Sequence, residues 1–211
     1  MKLCPLEEES IHSFLIRTLM CQGYLLGTAG LNGIVNQRGY VNALPHLDST
    51  RSAVFNDFSD EDVKDLIIKH SPIIKIFEDD IVKFKKYLFD GVTLNPSSLF
   101  PSGKTKLRYC HFCLFEQMRV YGFTCFKLEW LFDVECLKHQ IPLSNVKTNR
   151  SLCCGLSLNI YQSVISVLTG KCQSCNRISW IYNQIVEWES SDRLGWCDYI
   201  STHQDRIHLK I

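Results

Sequence analysis

Two pairs of metal-binding residues with the same short spacing constrain this chain more than any other feature. Cys110 and Cys113 form one pair, Cys136 and His139 form the other, and two residues separate the members of each pair. A turn of this length directs two soft or borderline donors at one point, and residues 114–135 are long enough to bring the second turn back to the first. Because four protein ligands leave no open position for water, the spacing predicts a structural Zn²⁺ site rather than a catalytic one.

The same spacing recurs at Cys172 and Cys175 and predicts a second, less regular metal site. The pairs available to complete it are Cys153 with Cys154, which we favour as the nearest, and Cys197 with His203. Adjacent cysteines bind one ion only with some distortion, and a third interpretation therefore leaves Cys172 and Cys175 without metal. The expected cofactor is Zn²⁺, at one structural site and at a second site whose ligands stay open.

The cysteine content restricts where the chain works. There are 11 cysteines, and the acidic run at residues 7–9 does not fit an export signal, so metal in a reducing compartment explains the cysteines better than disulfides do. The isolated Cys4, Cys21 and Cys125 have apolar neighbours and are predicted to be small core residues. No apolar run approaches the roughly 18 residues of a bilayer span. We therefore expect a cytoplasmic protein without a membrane partner.

The first hundred residues carry helical signals. Apolar residues share one face of a helix over residues 11–19 and again over residues 80–90. Ser59, followed by the acidic residues 60–62, marks the start of a further helix that Pro72 stops. Short helices in this order predict a helix-turn-helix-like bundle, with a plain three- or four-helix packing module as the alternative.

Loop-rich stretches at residues 95–103 and 144–151 divide the chain. The predicted domains are an N-terminal helical, helix-turn-helix-like domain (1–100), a zinc ribbon (101–146) and a C-terminal helical segment with a second zinc site (147–211). Aromatic and β-compatible residues at 123–134 predict strands between the ligand turns, and residues 160–168 predict a helix. The fold class is therefore mainly α with small zinc-ribbon β elements, as a helical bundle followed by one or two zinc ribbons.

The sequence lacks the motifs of common enzyme classes. It has no phosphate-binding G-x-x-x-x-G-K-[ST] run, no G-x-S-x-G nucleophile turn and no H-E-x-x-H pair. We expect a protein that is not an enzyme and has no catalytic residues. The enzymatic alternative is a zinc-dependent nuclease, which needs a further histidine near phosphate, and nothing marks His203 or His208 for that role.

Residues around the first site resemble a known family. The turn Arg108-Tyr109-Cys110-x2-Cys113-Leu114, followed by Tyr121, Trp130, Cys136-x2-His139 and Leu143, is similar to the zinc-ribbon signature of TniQ/TnsD transposition proteins. That family also opens with a Pro and a Glu-Ser pair before an amphipathic helix that carries an Arg, and Pro5, Glu9-Ser10 and Arg17 match this pattern. The departures are His111 and Leu137 for prolines, Gln140 for a glycine, and Ser151 where a second-site cysteine is expected.

The resemblance implies a non-catalytic target-selection adaptor for DNA transposition. Members of the family link target DNA or a CRISPR RNA-guided effector to an AAA+ regulator of the transposase. The implied partners are that regulator, the effector with its guide RNA, and DNA, and a homodimer is allowed. The net charge of +1 argues against extensive DNA contact, so we expect local contact only. Lys104, Lys106 and Arg108 are the candidates for contact with phosphates, and the alternative for each is a solvated loop or a structural Arg. The alternative is a zinc-ribbon, helix-turn-helix transcription regulator.

Overall fold

The computed structural model describes residues 2–25, 27–42, 44–72, 81–90, 105–146, 151 and 154–177, with the backbone alone at residues 81, 83, 87 and 90. Within these ranges the protein is mainly helical and has one small antiparallel sheet. The helices are α1 (Ile11–Cys21), α2 (Ser49–Ser52), α3 (Asp60–His70), α4 (Ile81–Asp90), α5 (His111–Tyr121) and α6 (Ile160–Thr169). The strands are β1 (Arg108–Tyr109) and β2 (Ser144–Asn145), and short 3-10 helices cover Thr28–Leu31, Ala53–Phe55 and Glu129–Leu131.

Helix α1 forms where the sequence predicts it. Its start is capped by the Ser10 side chain, which accepts a hydrogen bond from the Ser13 amide at 3.2 Å. The helix ends before Gly23, whose φ of 75° is a left-handed conformation that glycine adopts at little cost. The apolar face of α1, which includes Phe14 and Leu19, is fully buried. Hydrophobic burial of this face fixes the helix in the core.

Helices α2, α3 and α4 pack together beside α1. Ser59 and Asp62 form a capping box at the start of α3, which confirms the predicted helix start. Helix α3 packs against α1 and α4, and α2 packs against α4. Aromatic rings join these helices in one cluster, made of Phe14, Phe55, Phe58 and Phe89. The helix-turn-helix character of this region stays a prediction.

The middle of the chain holds less β-structure than the sequence predicts. In the sheet, Arg108 lies opposite Asn145 and Tyr109 lies opposite Ser144, so β2 uses the first residues of the predicted linker. Residues 123–134 contain no strand, only a 3-10 helix and an isolated bridge. Helix α5 instead separates the two ligand pairs, because residues 114–119 are mostly strong helix formers. The prediction of strands at 123–134 is wrong, and Phe126 and Trp130 are instead buried in the core from irregular and 3-10 structure.

One set of buried apolar residues runs through the described parts of all three predicted domains. Helix α6 packs against the 3-10 helix Thr28–Leu31, and the Thr124 hydroxyl donates a hydrogen bond to the Leu168 carbonyl at 2.5 Å. The core therefore connects the helical region to the surroundings of both cysteine clusters, while the boundaries at residues 100 and 146 stay predictions. None of the described helices is long and apolar enough to cross a bilayer.

Candidate metal centres

The first cluster is assembled from the start of α5 and the turn that precedes β2. Cys110 lies between β1 and α5, as the residue that precedes the helix, and Cys113 lies in the first helical turn. Cys136 and His139 lie in a tight turn before β2. The three cysteine side chains are buried, with exposed fractions of 0%, 2% and 0% for Cys110, Cys113 and Cys136. The fold thus brings together all four residues that the spacing predicts.

The donor atoms of this first cluster have distances that suit one tetrahedral ion. The Cys113 and Cys136 sulfurs are 3.6 Å apart. The His139 Nδ1 atom is 3.4 Å from the Cys110 sulfur, 3.3 Å from the Cys113 sulfur and 3.6 Å from the Cys136 sulfur. Zinc bond lengths of about 2.3 Å to sulfur and about 2.0 Å to nitrogen give tetrahedral edges of roughly 3.5–3.8 Å. The residues present therefore fit a closed zinc site with no open position.

The turn that carries Cys136 and His139 is fixed by its own backbone. The Cys136 amide donates to the Ile141 carbonyl at 2.8 Å, and the Gln140 amide donates to the Cys136 carbonyl at 2.7 Å. Gln140 has a φ of 52°, a left-handed conformation that is uncommon for a residue other than glycine. Glycine adopts this conformation at less cost than glutamine does. The turn holds both donors on the same side.

A carboxylate lies behind the histidine ligand. Glu116, on α5, has its Oε1 atom 3.5 Å from the His139 Nε2 atom, and Lys138 donates to the Glu116 Oε2 atom at 2.6 Å. A carboxylate at Nε2 favours a proton there, which leaves Nδ1 as the donor that faces the sulfurs. The spacing of cysteine and histidine residues does not point to Glu116, although its position one turn after Cys113 places it on the same side of the helix.

The pKa values of the thiols in the first cluster depend on one another. A hydrogen bond with Cys113 lowers the pKa of Cys110 to about 5, and the same interaction raises the pKa of Cys113. Burial raises the pKa of Cys136. Without an ion, the cluster therefore holds one thiolate beside thiols, because adjacent buried thiolates repel each other. A divalent cation removes this repulsion and allows all the sulfurs to ionise.

The second cluster joins residues on either side of α6. The sulfur atoms of Cys154, Cys172 and Cys175 all lie within 4.8 Å of one another, and those of Cys154 and Cys172 are 3.9 Å apart. The Ser151 Oγ atom lies 3.0 Å from the Cys172 sulfur. A hydrogen bond from Ser151 lowers the pKa of the Cys154 thiol. Cys172 is buried, whereas Cys154 and Cys175 are half-buried. These residues are able to hold a metal ion, and no disulfide joins the described cysteines.

Several predicted residues lie elsewhere or outside the described part of the chain. Four of the predicted residues fall outside the described residues, so their roles stay predictions, namely Cys153, Lys104, Cys197 and His203.

The prediction that Cys4 and Cys21 are core residues is wrong, because both are exposed. Cys4 precedes α1 and Cys21 is its last residue, so the core does not reach either of them. Cys125 is buried as predicted, and burial raises its pKa to about 12, as expected of an unreactive core thiol.

The described candidates for phosphate contact already have protein contacts. The Arg108 guanidinium donates a hydrogen bond to the Asp133 carbonyl at 2.6 Å, which joins β1 to the segment before Cys136. The Lys106 ammonium lies 5.4 Å from the centre of the Tyr40 ring. Both residues therefore contribute to the protein's own structure, and their contact with nucleic acid stays a prediction.

Comparisons of the chain with protein-family models, with curated proteins and with solved structures find no match.

Proposed function

We propose that this protein is a zinc-stabilised, non-catalytic adaptor that selects targets for DNA transposition, in the manner of TniQ-like proteins. The observation that carries the proposal is the joint placement of the residues on which the resemblance rests. The ligands meet in one cluster, and four of the other motif residues are buried, namely Tyr109, Leu114, Trp130 and Leu143, whereas Tyr121 is exposed. A motif whose members surround one site is better explained as a functional unit than as a chance spacing.

The N-terminal part of the motif supports the same proposal. Glu9 is fully buried, and its carboxylate accepts hydrogen bonds from the Arg17 Nε and Nη2 atoms at 3.0 and 2.7 Å. The Ser13 hydroxyl also donates to Glu9, at 3.1 Å, and accepts a hydrogen bond from the Phe126 amide at 2.9 Å. The Ser13 hydroxyl thus links the Glu9–Arg17 ion pair to the segment that leads to the second ligand pair.

Charge favours a docking role over the alternative of a transcription regulator. With 23 basic and 22 acidic side chains, the protein offers little of the excess positive charge that phosphate-driven DNA binding uses. The closed donor set of the first cluster favours a scaffold over metal catalysis, because a catalytic zinc keeps a position for water or substrate. A rigid scaffold that positions surfaces for partner proteins combines these properties.

Co-purification with candidate partners tests the proposal. The tagged chain is co-expressed with the AAA+ regulator, and separately with the guide-RNA effector, encoded beside it. We expect stoichiometric association with at least one of them. Cys136→Ser should abolish the association because it removes a ligand of the first cluster. Cys21→Ser, an exchange of the same residue types at an exposed position, should retain it.

The other outcomes identify the competing functions. Failure of the folded protein to associate with either partner would remove the adaptor hypothesis. Tight, salt-sensitive binding of a particular duplex by the isolated chain would support the transcription regulator instead. Metal-dependent cleavage of DNA or RNA would support the nuclease.

A further inference from the structure

Three turns of this protein share one backbone design, which makes their side chains directly comparable. In each turn, the amide of the first residue donates to the carbonyl of the residue five positions later. The carbonyl of the first residue accepts from the amide of the residue four positions later. The turns begin at Cys136, Ser151 and Cys172. The residue at the fifth position has a left-handed conformation in every case, with φ values of 52° at Gln140, 70° at Gly155 and 60° at Asn176.

This design carries metal donors at its first and fourth positions. The turn at Cys136 places Cys136 and His139 there, and the turn at Cys172 places Cys172 and Cys175 there. In the third turn the fourth position is Cys154 and the first position is Ser151. The backbone thus assigns Ser151, rather than the neighbouring Cys153, as the structural counterpart of a ligand.

The Ser151 side chain lies where such a ligand is needed. Ser151 is 6% exposed, and its Oγ atom is 3.0 Å from the Cys172 sulfur. The Ser151 hydroxyl also hydrogen-bonds the Cys154 thiol, so it adjoins two of the three sulfurs that lie within 4.8 Å of one another. This is the arrangement of a four-donor site in which an oxygen occupies one corner.

We propose that this cluster is an exchangeable Zn²⁺ site, held by the thiolates of Cys154, Cys172 and Cys175, with the Ser151 hydroxyl at the fourth position. A neutral hydroxyl binds zinc more weakly than a thiolate does and yields readily to water, so the fourth position is partly open. The loss of one strong ligand should weaken binding at least as much as the loss of an outer partner, which is on the order of 10–100-fold. The inference goes beyond the proposed adaptor function and does not depend on it.

Metal titration of the full chain under reducing conditions tests the site directly. Co²⁺ reports the number of bound thiolates through its sulfur-to-metal absorption bands, and competition with a chromophoric chelator gives the Zn²⁺ affinity of each equivalent. We expect two equivalents in the wild type, with the weaker one bound at least about tenfold less tightly than the stronger. Cys172→Ser should remove only the weaker equivalent.

The decisive comparison is between two serine-to-cysteine variants of the same loop. Ser151→Cys should tighten the weaker equivalent by at least about tenfold and increase its sulfur-to-cobalt absorption, because a fourth thiolate joins the site. Ser157→Cys creates a C-x2-C spacing with Cys154, but residue 157 is exposed and follows the turn 151–156, so it should leave both affinities unchanged. This pair of variants keeps the cluster's own cysteines, so it decides the question even where Cys172→Ser fails to fold.

Two results would overturn the inference. One is a wild type that binds a single equivalent of metal, because three thiolates and the serine would then be insufficient to hold a second ion. This holds whether or not Ser151→Cys binds a second equivalent. The other is a Ser151→Cys variant with the same affinities as Ser157→Cys, since Ser151 would then not be a metal neighbour. Either result leaves partner association unaffected, so it is distinguishable from failure of the adaptor hypothesis.

Discussion

The two cysteine clusters use similar turns but differ in completeness and burial. The first cluster has four donors, and its three sulfur ligands are buried beside α5 and β1. The second has three sulfurs and a serine hydroxyl, and two of its cysteines are half-buried. Backbone geometry alone therefore does not determine how strongly a metal contributes to stability. The donor at one position and the depth of the site in the core decide whether the metal supports the whole fold or one surface region.

The largest expected effect separates the two clusters by their contribution to folding. Structural zinc contributes on the order of 10 kcal/mol, and a domain is stable by only about 5–15 kcal/mol. Cys136→Ser should therefore abolish cooperative unfolding in urea, followed by circular dichroism. Cys172→Ser should leave a cooperative transition, because the second cluster lies at the margin of the core.

Cys21→Ser is the matched control for these two variants, and we expect a change within about 0.5 kcal/mol because Cys21 is exposed. Equal destabilisation by Cys136→Ser and Cys172→Ser would contradict the distinction between the clusters.

The next prediction concerns the Glu9–Arg17 ion pair at the start of the helical region. Arg17→Met leaves the Glu9 carboxylate buried without its ionic partner, and breaking a buried pair in this way costs about 3–5 kcal/mol. The measurement is the free energy of unfolding from urea titrations. As a control, Lys69→Met removes the exposed Lys69–Asp65 pair and should cost about 0.5 kcal/mol or less. Similar costs for the two variants would show that the Glu9–Arg17 pair stabilises the fold no more than an exposed ion pair does.

An acid-dependent loss of stability is expected from the helical core itself. His12 is fully buried, its Nε2–H donates to the Asn42 carbonyl, and its Nδ1 atom has no hydrogen-bond partner among the described residues. Burial lowers the pKa of His12 from 6.5 to about 4. The unfolded state therefore takes up this proton first as the pH falls. The free energy of unfolding is therefore unaffected by His12 protonation above pH 6.5. It falls by about 1.4 kcal/mol per pH unit between pH 6.5 and about 4.

His12→Gln keeps a donor for Asn42 but cannot titrate, so its unfolding free energy should fall less steeply between pH 7.5 and 5.5 than that of the wild type. Release of metal at low pH affects both proteins, and the difference between their slopes isolates His12. Parallel slopes would contradict the assignment of this acid sensitivity to the helical core.

The smallest expected effect concerns the partner behind the histidine ligand. Glu116→Gln should weaken the first metal site by about tenfold, at the lower end of the usual range, because Glu116 is partly exposed. Glu135→Gln removes the same charge from an exposed residue next to Cys136 and should leave the affinity unchanged. Chelator competition measures both. Equal affinities in the two variants would mean that Glu116 does not orient His139.

The sequence predicts local structure well where one signal acts alone. Helix α1, the capping box at Ser59 and the convergence of Cys110, Cys113, Cys136 and His139 all follow from spacing or side-chain chemistry. Prediction from sequence fails where local propensity and burial in the core favour different structures. Residues 123–134 have the composition of strands, but burial of Phe126 and Trp130 in a mixed core favours irregular structure there.

The second cluster shows another limit of prediction from sequence. Spacing alone favours the adjacent Cys153 and Cys154 as partners of Cys172. The role of Cys153 stays a prediction. The backbone hydrogen bonds place Ser151 and Cys154 at the first and fourth positions of their turn, which Cys172 and Cys175 occupy in the facing turn. This pairing depends on the left-handed conformation of Gly155, which no count of cysteines reveals.

The most direct test of the account is the metal content of the full chain, purified without chelators and measured by elemental analysis beside its protein concentration. The account predicts at least one equivalent of zinc in the folded wild type, retained on dialysis and missing from Cys136→Ser. A folded, monodisperse wild type that holds no stoichiometric metal would contradict it.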